Sequence, residues 1–222
     1  MDGIKKFISG VGYQAGKLLF PPHCARCRLL LDQYMPFCVP CEQKIMPVVS
    51  TVVKVSARYD MTVFALSGYE EPLRSLILAK GRSDLLASRQ LGELLLQRTP
   101  IKQLDVDYFI PVPLHWTRFA YRGYNQAYEI ARVVANGRQK PVANAVKRVT
   151  RTSFQATLTP EKRWQNVHDV FCLVGDGALY RDKHIVLVDD LMTTSATLQS
   201  VAKVMITCKP ASITAVVACR VV

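Results

Sequence analysis

No apolar run in this 222-residue chain approaches the roughly 18 residues that a membrane-spanning helix needs. The N-terminal stretch carries Lys5 and Lys6 among scattered apolar residues. It lacks a continuous apolar core followed by a small-residue cleavage site, so it does not read as a secretory signal. Internal repeats and low-complexity tracts are missing too, and nothing in the composition suggests disorder. Acidic residues are scarce: 17 Asp and Glu face 29 Lys and Arg, a net charge of +12. The absence of a span and of a signal points to a cytoplasmic protein.

What is present is enough apolar residue, 50% of the chain, for one sizeable core with a small appendage. The positive charge is concentrated. Between Pro111 and His168 there are ten basic residues and two acids, Glu129 and Glu161, so this segment supplies +8 of the net charge. Such an excess suits polyphosphate or nucleic-acid partners. A merely solvated surface has the same signature.

Seven cysteines are distributed unequally. Cys24-x-x-Cys27 and Cys38-x-x-Cys41 are separated by ten residues. Each pair presents two thiolates from a tight turn, and four thiolates make a closed tetrahedral Zn²⁺ site. A closed site of this kind is structural, because no position is open for water. Arg26 and Arg28 offset its negative charge, and Pro22, Pro36 and Pro40 stiffen its turns. A redox role would need one Cys-x-x-Cys beside a thioredoxin-like βαβ pattern, which is missing. His23 is an alternative ligand beside Cys24. Cys172, Cys208 and Cys219 sit in apolar contexts and read as packed thiols.

The organisation follows. Residues 1–20 read as a short amphipathic helix or arm carrying Ile4, Phe7, Ile8, Val11, Leu18, Leu19 and Phe20, ended by Pro21-Pro22. Residues 21–50 form the cysteine module, too small for a core of its own, and Val48–Arg58 is a link or edge strand. Residues 59–222 alternate. Strands are predicted at Thr62–Tyr69, Val106–Ile110, Val142–Val149, His184–Val188 and Ser212–Val221. Helices are predicted at Glu71–Lys80, Asp84–Gln97, Asn125–Ala135 and Thr194–Met205. A turn-rich stretch runs from Thr150 to Thr159. This alternation implies an α/β fold with a mostly parallel sheet covered on both faces.

The most chemically loaded segment is His184–Thr197. An apolar run, Ile185-Val186-Leu187-Val188, reads as a buried parallel strand. Asp189 and Asp190 follow at its carboxyl end, where open α/β sheets bind ligands. Then comes Thr193-Thr194-Ser195-Ala196-Thr197, with Thr193 or Thr194 as the expected N-cap of the next helix. Free amides and hydroxyls at a helix N-terminus hold phosphate well, and paired carboxylates suit ribose hydroxyls or a phosphate-borne Mg²⁺. The segment resembles the phosphoribosyl-pyrophosphate signature of type I phosphoribosyltransferases. Ser195 stands where that signature usually has Gly, which would allow closer backbone approach.

A second anion site is suggested upstream. Pro111-Val112-Pro113-Leu114-His115 closes a strand, Arg118 follows, and Arg122-Gly123-Tyr124-Asn125-Gln126-Ala127 opens a helix. Cations at a helix start oppose the helix dipole, and a bound anion compensates. The basic stretch from Arg148 to Phe171 reads as a lid hinged onto a returning strand. Among the aromatics interleaved with these cations (Trp116, Phe119, Tyr121, Tyr124, Phe154 and Trp164), Phe119 and Tyr124 are expected in the core and others are available for stacking.

Together with the cysteine pairs, the ordered motifs Pro111–His115, Arg122–Ala127, Arg148-x-x-x-Thr152-x-x-Gln155, Arg163-x-x-Asn166-Val167 and Val188-Asp189-Asp190-x-x-Thr193-Thr194 are similar to the ComF/GntX family. The likeness runs from about Leu19 to the C-terminus. It implies a type I phosphoribosyltransferase fold with an N-terminal zinc ribbon, ligated by Cys24, Cys27, Cys38 and Cys41. It implies phosphoribosyl pyrophosphate with Mg²⁺ as ligand. Asp189 and Asp190 would take the ribose, Thr193, Thr194, Ser195, Ala196 and Thr197 the 5′-phosphate, and Arg118 and Arg122 the diphosphate. It further implies a role in DNA uptake during natural transformation, with partners such as a helicase-like ATPase and other competence proteins; the basic, aromatic-interleaved segment adds contact with single-stranded DNA as an expectation. Oligomerisation stays open. Two alternatives stand beside this reading: an active transferase on a nucleobase-like acceptor, and an inert nucleotide-sensing scaffold. Transferases that use an acidic base just after the acidic pair are disfavoured, since Thr193 occupies that place. No catalytic residue is assigned.

Overall fold

The computed structural model describes residues 21–46, 50–80, 85–114, 116–149 and 170–221. The expected N-terminal helix over residues 1–20 and residues 150–169 of the expected lid, with Phe154 and Trp164, lie outside the described residues. In chain order the elements are α1 (Val39–Glu42), β1 (Ser50–Ser56), β2 (Tyr59–Gly68), α2 (Leu73–Lys80), α3 (Leu85–Arg98), β3 (Tyr108–Pro111), α4 (Trp116–Arg122), α5 (Gln126–Arg138), β4 (Val146–Arg148), β5 (Phe171–Leu173), β6 (His184–Met192), α6 (Ala196–Ile206) and β7 (Ser212–Arg220). Among the described residues, no helix is long and apolar enough to cross a membrane.

Five strands form one sheet in the order β1-β2-β7-β6-β3. All pairings are parallel except β1 with β2. β6 and β7 lie at the centre, which explains why Ile185–Val188 and Ala215–Cys219 are continuous apolar runs: both faces are buried. Along β6 successive side chains alternate between two cores. Val186 and Val188 join Leu73, Leu76, Leu91, Leu94, Ile130 and Val134 on one face. Ile185 and Leu187 join Leu198, Val201, Ala202 and Met205 on the other. This is the mixed α/β architecture with a mostly parallel central sheet that the alternation predicted.

The structure corrects the expected elements at four places. β6 does not stop at Val188 but continues to Met192, because Asp189, Leu191 and Met192 keep pairing with Val217, Cys219 and Arg220 of β7. Backbone pairing is indifferent to side-chain polarity at a strand end. That extension shortens the turn, so α6 starts at Ala196, with Ser195 rather than Thr193 or Thr194 as N-cap. The predicted strand Val142–Val149 is split. Val142 makes a single parallel bridge to Phe109 on the sheet's edge, while β4 pairs antiparallel with β5 in a separate two-stranded sheet. Finally, Phe119 is 51% exposed rather than in the core. Tyr124 is half-buried, its hydroxyl 3.4 Å from Ser88 Oγ.

The α3–α5 crossing is close because two glycines face it. A Cβ on Gly92 would lie 2.7 Å from Val133 Cβ and 3.1 Å from the Ile130 carbonyl, and one on Gly137 would collide with the Leu96 side chain. Gly92→Ala gains about 1 kcal/mol of helix propensity but overpacks a branched side chain and a backbone carbonyl. We expect a net loss of about 1–3 kcal/mol, read as a lowered denaturant midpoint. Gly68→Ala, whose Cβ would meet only the Glu70 side chain at 3.5 Å, should change stability by about 0.5 kcal/mol or less.

Candidate functional site

The cysteine cluster is built by local backbone turns. The Cys24 amide donates to the Leu29 carbonyl (2.8 Å) and the Arg28 amide to the Cys24 carbonyl (3.0 Å), with Arg28 at φ 64°. This folds the first pair into a knuckle. In the second pair, Cys38 caps α1 and accepts from the amides of Cys41 (3.0 Å) and Glu42 (2.9 Å). All four sulfurs lie within 4.8 Å of one another, and Cys27 and Cys38 Sγ are 3.6 Å apart. A tetrahedral tetrathiolate zinc site has sulfurs about 3.8 Å apart, given Zn–S bonds of about 2.3 Å. The cluster therefore fits a four-sulfur metal ion, and His23 is not a member of it.

The electrostatics suit the same chemistry. Burial pushes the Cys24 thiol up, but backbone hydrogen bonds at Cys27, Cys38 and Arg26 outweigh it and bring it down to about 6. At Cys38 the backbone hydrogen bond at Cys41 lowers the thiol, but burial and the neighbouring thiols push it up to about 12. One sulfur gives up its proton readily and another holds on, as four crowded thiols must when no cation offsets their charge. The module also has no separate core. Phe37, Ile45, Cys24, Cys38 and Cys41 pack into the cluster that contains Leu73, Leu76 and Leu91. Arg26 lies 3.8 Å from Glu71, and Arg98 lies 2.7 Å from Glu42.

The second constellation sits at the carboxyl edge of the sheet. Neighbouring strands β3 and β6 run parallel, yet the helices after them go to opposite faces: α5 packs on one core and α6 on the other. In open α/β sheets such a switch point opens a crevice for ligands. Asp189 and Asp190 stand there, half-buried, with the Asp190 amide donating to Asp189 Oδ1 at 2.8 Å. Thr193, Thr194, Ala196 and Thr197 are exposed and Ser195 is half-buried. Ser195 caps no amide of α6 with its side chain, so the first-turn amides receive no side-chain cap from it.

The loop after β3 is tied to this edge. The Val112 amide donates to the Val188 carbonyl (2.9 Å). Asn125, the N-cap of α5, donates through Nδ2 to the Val112 carbonyl (3.0 Å) and accepts from the Ala127 amide (3.1 Å). Gly123, at φ 77°, turns the chain between α4 and α5. Arg122, half-buried, closes α4, and Arg118 lies within α4, its side chain outside the description. The motif Arg122–Ala127 is thus a turn and a cap between α4 and α5, bonded through Val112 to Val188 of β6. Sequence reasoning missed Asn125 as this tie, although Asn before a helical run is an N-cap signal. It also missed Gln126, which is buried and whose Nε2 has no partner among the described residues.

Residues 120–221 match the family model of the phosphoribosyl transferase domain. Competence protein F of Haemophilus influenzae is 31% identical over 192 residues, spanning 83% of this chain and 78% of that protein. The chain belongs to the ComF-like phosphoribosyltransferase-domain family. A crystal structure of L. donovani hypoxanthine-guanine phosphoribosyl transferase is similar over 65% of this chain and 67% of that one, at 17% identity and a TM-score of 0.31.

Because the ligand sulfurs are part of a shared core, metal loss should be felt beyond the module. We expect about one equivalent of Zn²⁺ per chain in the purified protein, and none in Cys38→Ser. That variant should unfold at lower denaturant across the whole chain, a cost of several kcal/mol. Protons compete for thiolates, so chelator extraction should become easier as pH falls, and more steeply below pH about 6, where Cys24 also keeps its proton.

Proposed function

We propose that this ComF-like protein binds phosphoribosyl pyrophosphate with Mg²⁺ at the carboxyl edge between β6 and β3 and acts in DNA uptake during natural transformation. The observation that carries the first half is the acidic pair at the switch point, followed at once by the turn into α6. Asp189 and Asp190 accept from the ribose hydroxyls. Thr193, Thr194, Ser195, Ala196 and Thr197 offer amides and hydroxyls to the 5′-phosphate. Arg118 and Arg122 serve the diphosphate from α4, which follows the Val112 segment that Asn125 and Val188 both bond. The Mg²⁺ that rides on the diphosphate would neutralise its charge and be steadied by the same carboxylates. The zinc ribbon over residues 21–50 is structural, its ligands Cys24, Cys27, Cys38 and Cys41.

The competence role is supported by the name of the Haemophilus influenzae relative and by an exposed feature of α4. Tyr121 is 84% exposed and Phe119 51%, both between Arg118 and Arg122. Bare aromatics among cations are the usual platform for single-stranded nucleic acid.

Calorimetry tests the ligand. Asp189→Asn combined with Asp190→Asn should weaken phosphoribosyl pyrophosphate binding in Mg²⁺ by a hundredfold or more, on the order expected for losing two charge-assisted contacts. Ser195→Gly should bind as well as the parent or better. Equal binding by the double Asn variant would dismiss the site.

Fluorescence anisotropy with a labelled oligonucleotide tests the DNA contact. Binding should be weak, tolerant of sequence and steeply reduced by salt. Tyr121→Ala should lower it about tenfold, while the double Asn variant should leave it intact. Binding indifferent to salt, or absent at low salt, would confine the basic segment to the diphosphate.

A further inference from the structure

A groove of about 500 Å³ lies where the cysteine module meets the helices α2 and α3. The module supplies one wall, with Pro21, Pro22 and Met35. The helices supply the other, through Ser75 and Leu78 of α2 and Leu86 and Gln90 of α3. Each of these helical pairs is spaced by three or four residues, so each shares one side of its helix. Leu73, Leu91 and Leu94 of the same helices fill the interior. Leu78, by contrast, is 55% exposed, and Leu86 and Met35 are 46% exposed. Three large apolar side chains left open along one groove differ from the single exposed leucines that any soluble surface carries.

The occupant is indicated by where the chain enters. Pro21 is the first described residue and lines the groove, so the residues before it start at the groove's own wall. Among them Ile4, Phe7, Ile8, Val11, Ala15 and Leu18 recur at helical spacing, as one apolar stripe. Lys5, Lys6 and Lys17 fall outside that stripe. Gly10, Gly12 and Gly16 weaken such a helix, and an isolated helix of this length is marginal in water even without them. The stripe therefore needs a surface to lie on. A segment tethered at the rim meets the groove at an effective concentration on the order of millimolar, an advantage that a separate partner lacks.

We propose that residues 4–18 lie in this groove, with their apolar stripe against Leu78, Leu86 and Met35. Pro21-Pro22 ends the helix and holds Phe20 extended, which supplies the turn back onto the body. The segment then straps the cysteine module to α2 and α3 from outside, across the same boundary that Phe37 and Ile45 cross from inside.

Hydrogen exchange and hydroxyl-radical footprinting on the full chain test the seat. Amides within residues 5–18 should exchange about tenfold or more slower than those of an unstructured chain. Leu78→Asp combined with Leu86→Asp should return them to the unstructured rate, while amides of β6 and β7 keep theirs and so report an intact fold. Ile8→Asp, a change outside the body, should release the same amides and raise Met35 oxidation about twofold or more. Should the double Asp variant disturb β6 and β7, Ile8→Asp carries the decision alone. Unprotected amides in the parent, protection that survives the groove substitutions, or Met35 oxidation unchanged by Ile8→Asp overturns the proposal. Protection that disappears on dilution assigns the groove to the segment of a second copy and overturns the intramolecular seat.

Discussion

The pairing of β6 with β7 is the constraint on which the remaining structure depends. It forces two neighbouring strands to be buried on both faces, so their sequences must be apolar without interruption. It demands helices on both sides, which α3 and α5 supply on one face and α6 on the other. It also carries β6 four residues beyond its apolar run, so two carboxylates are fixed to a rigid strand rather than left in a flexible turn. Side chains on a sheet are placed more reproducibly than side chains on a loop.

The cysteine module obeys the same economy of burial. A stretch this short cannot bury enough surface to fold alone. It lends Phe37 and Ile45 to the core of the larger body and relies on its sulfurs for the rest. The ion pairs Arg26–Glu71 and Arg98–Glu42 cross the same boundary. Exposed pairs of this sort contribute at most about 1 kcal/mol each, so the shared apolar contacts carry the attachment.

Much of this was legible in the amino-acid order. The four-cysteine spacing, the apolar run Ile185–Val188 and the alternation of strand and helix are local patterns, and the architecture followed from them. What escaped was set by distant partners. The extension of β6 through Asp189–Met192 is imposed by β7, and no local propensity announces it. Val142–Val149 reads as one strand because its residues are β-formers, yet its two ends find partners in different sheets. Phe119 looked like core because it is aromatic, but it lies on an exposed face of the short helix α4. That a turn into a helix follows the acidic pair was legible; its cap was not, since the start of α6 depended on where β6 ended.

The bond from Gln199 to the Lys54 carbonyl has a consequence for how this protein behaves in a crowded solution. Every open sheet ends in two strands with unspent hydrogen-bonding capacity, the template on which chains stack into fibres. Here one rim, β1, is met by a side-chain amide from α6 and carries a lysine in its middle. The other rim, β3, exchanges hydrogen bonds with Pro141 and Ala143. Both margins are thus partly spent within the molecule, and a stray strand finds no continuous ladder to join. Removing the amide, as in Gln199→Leu, would reopen the β1 margin while leaving the fold's interior untouched.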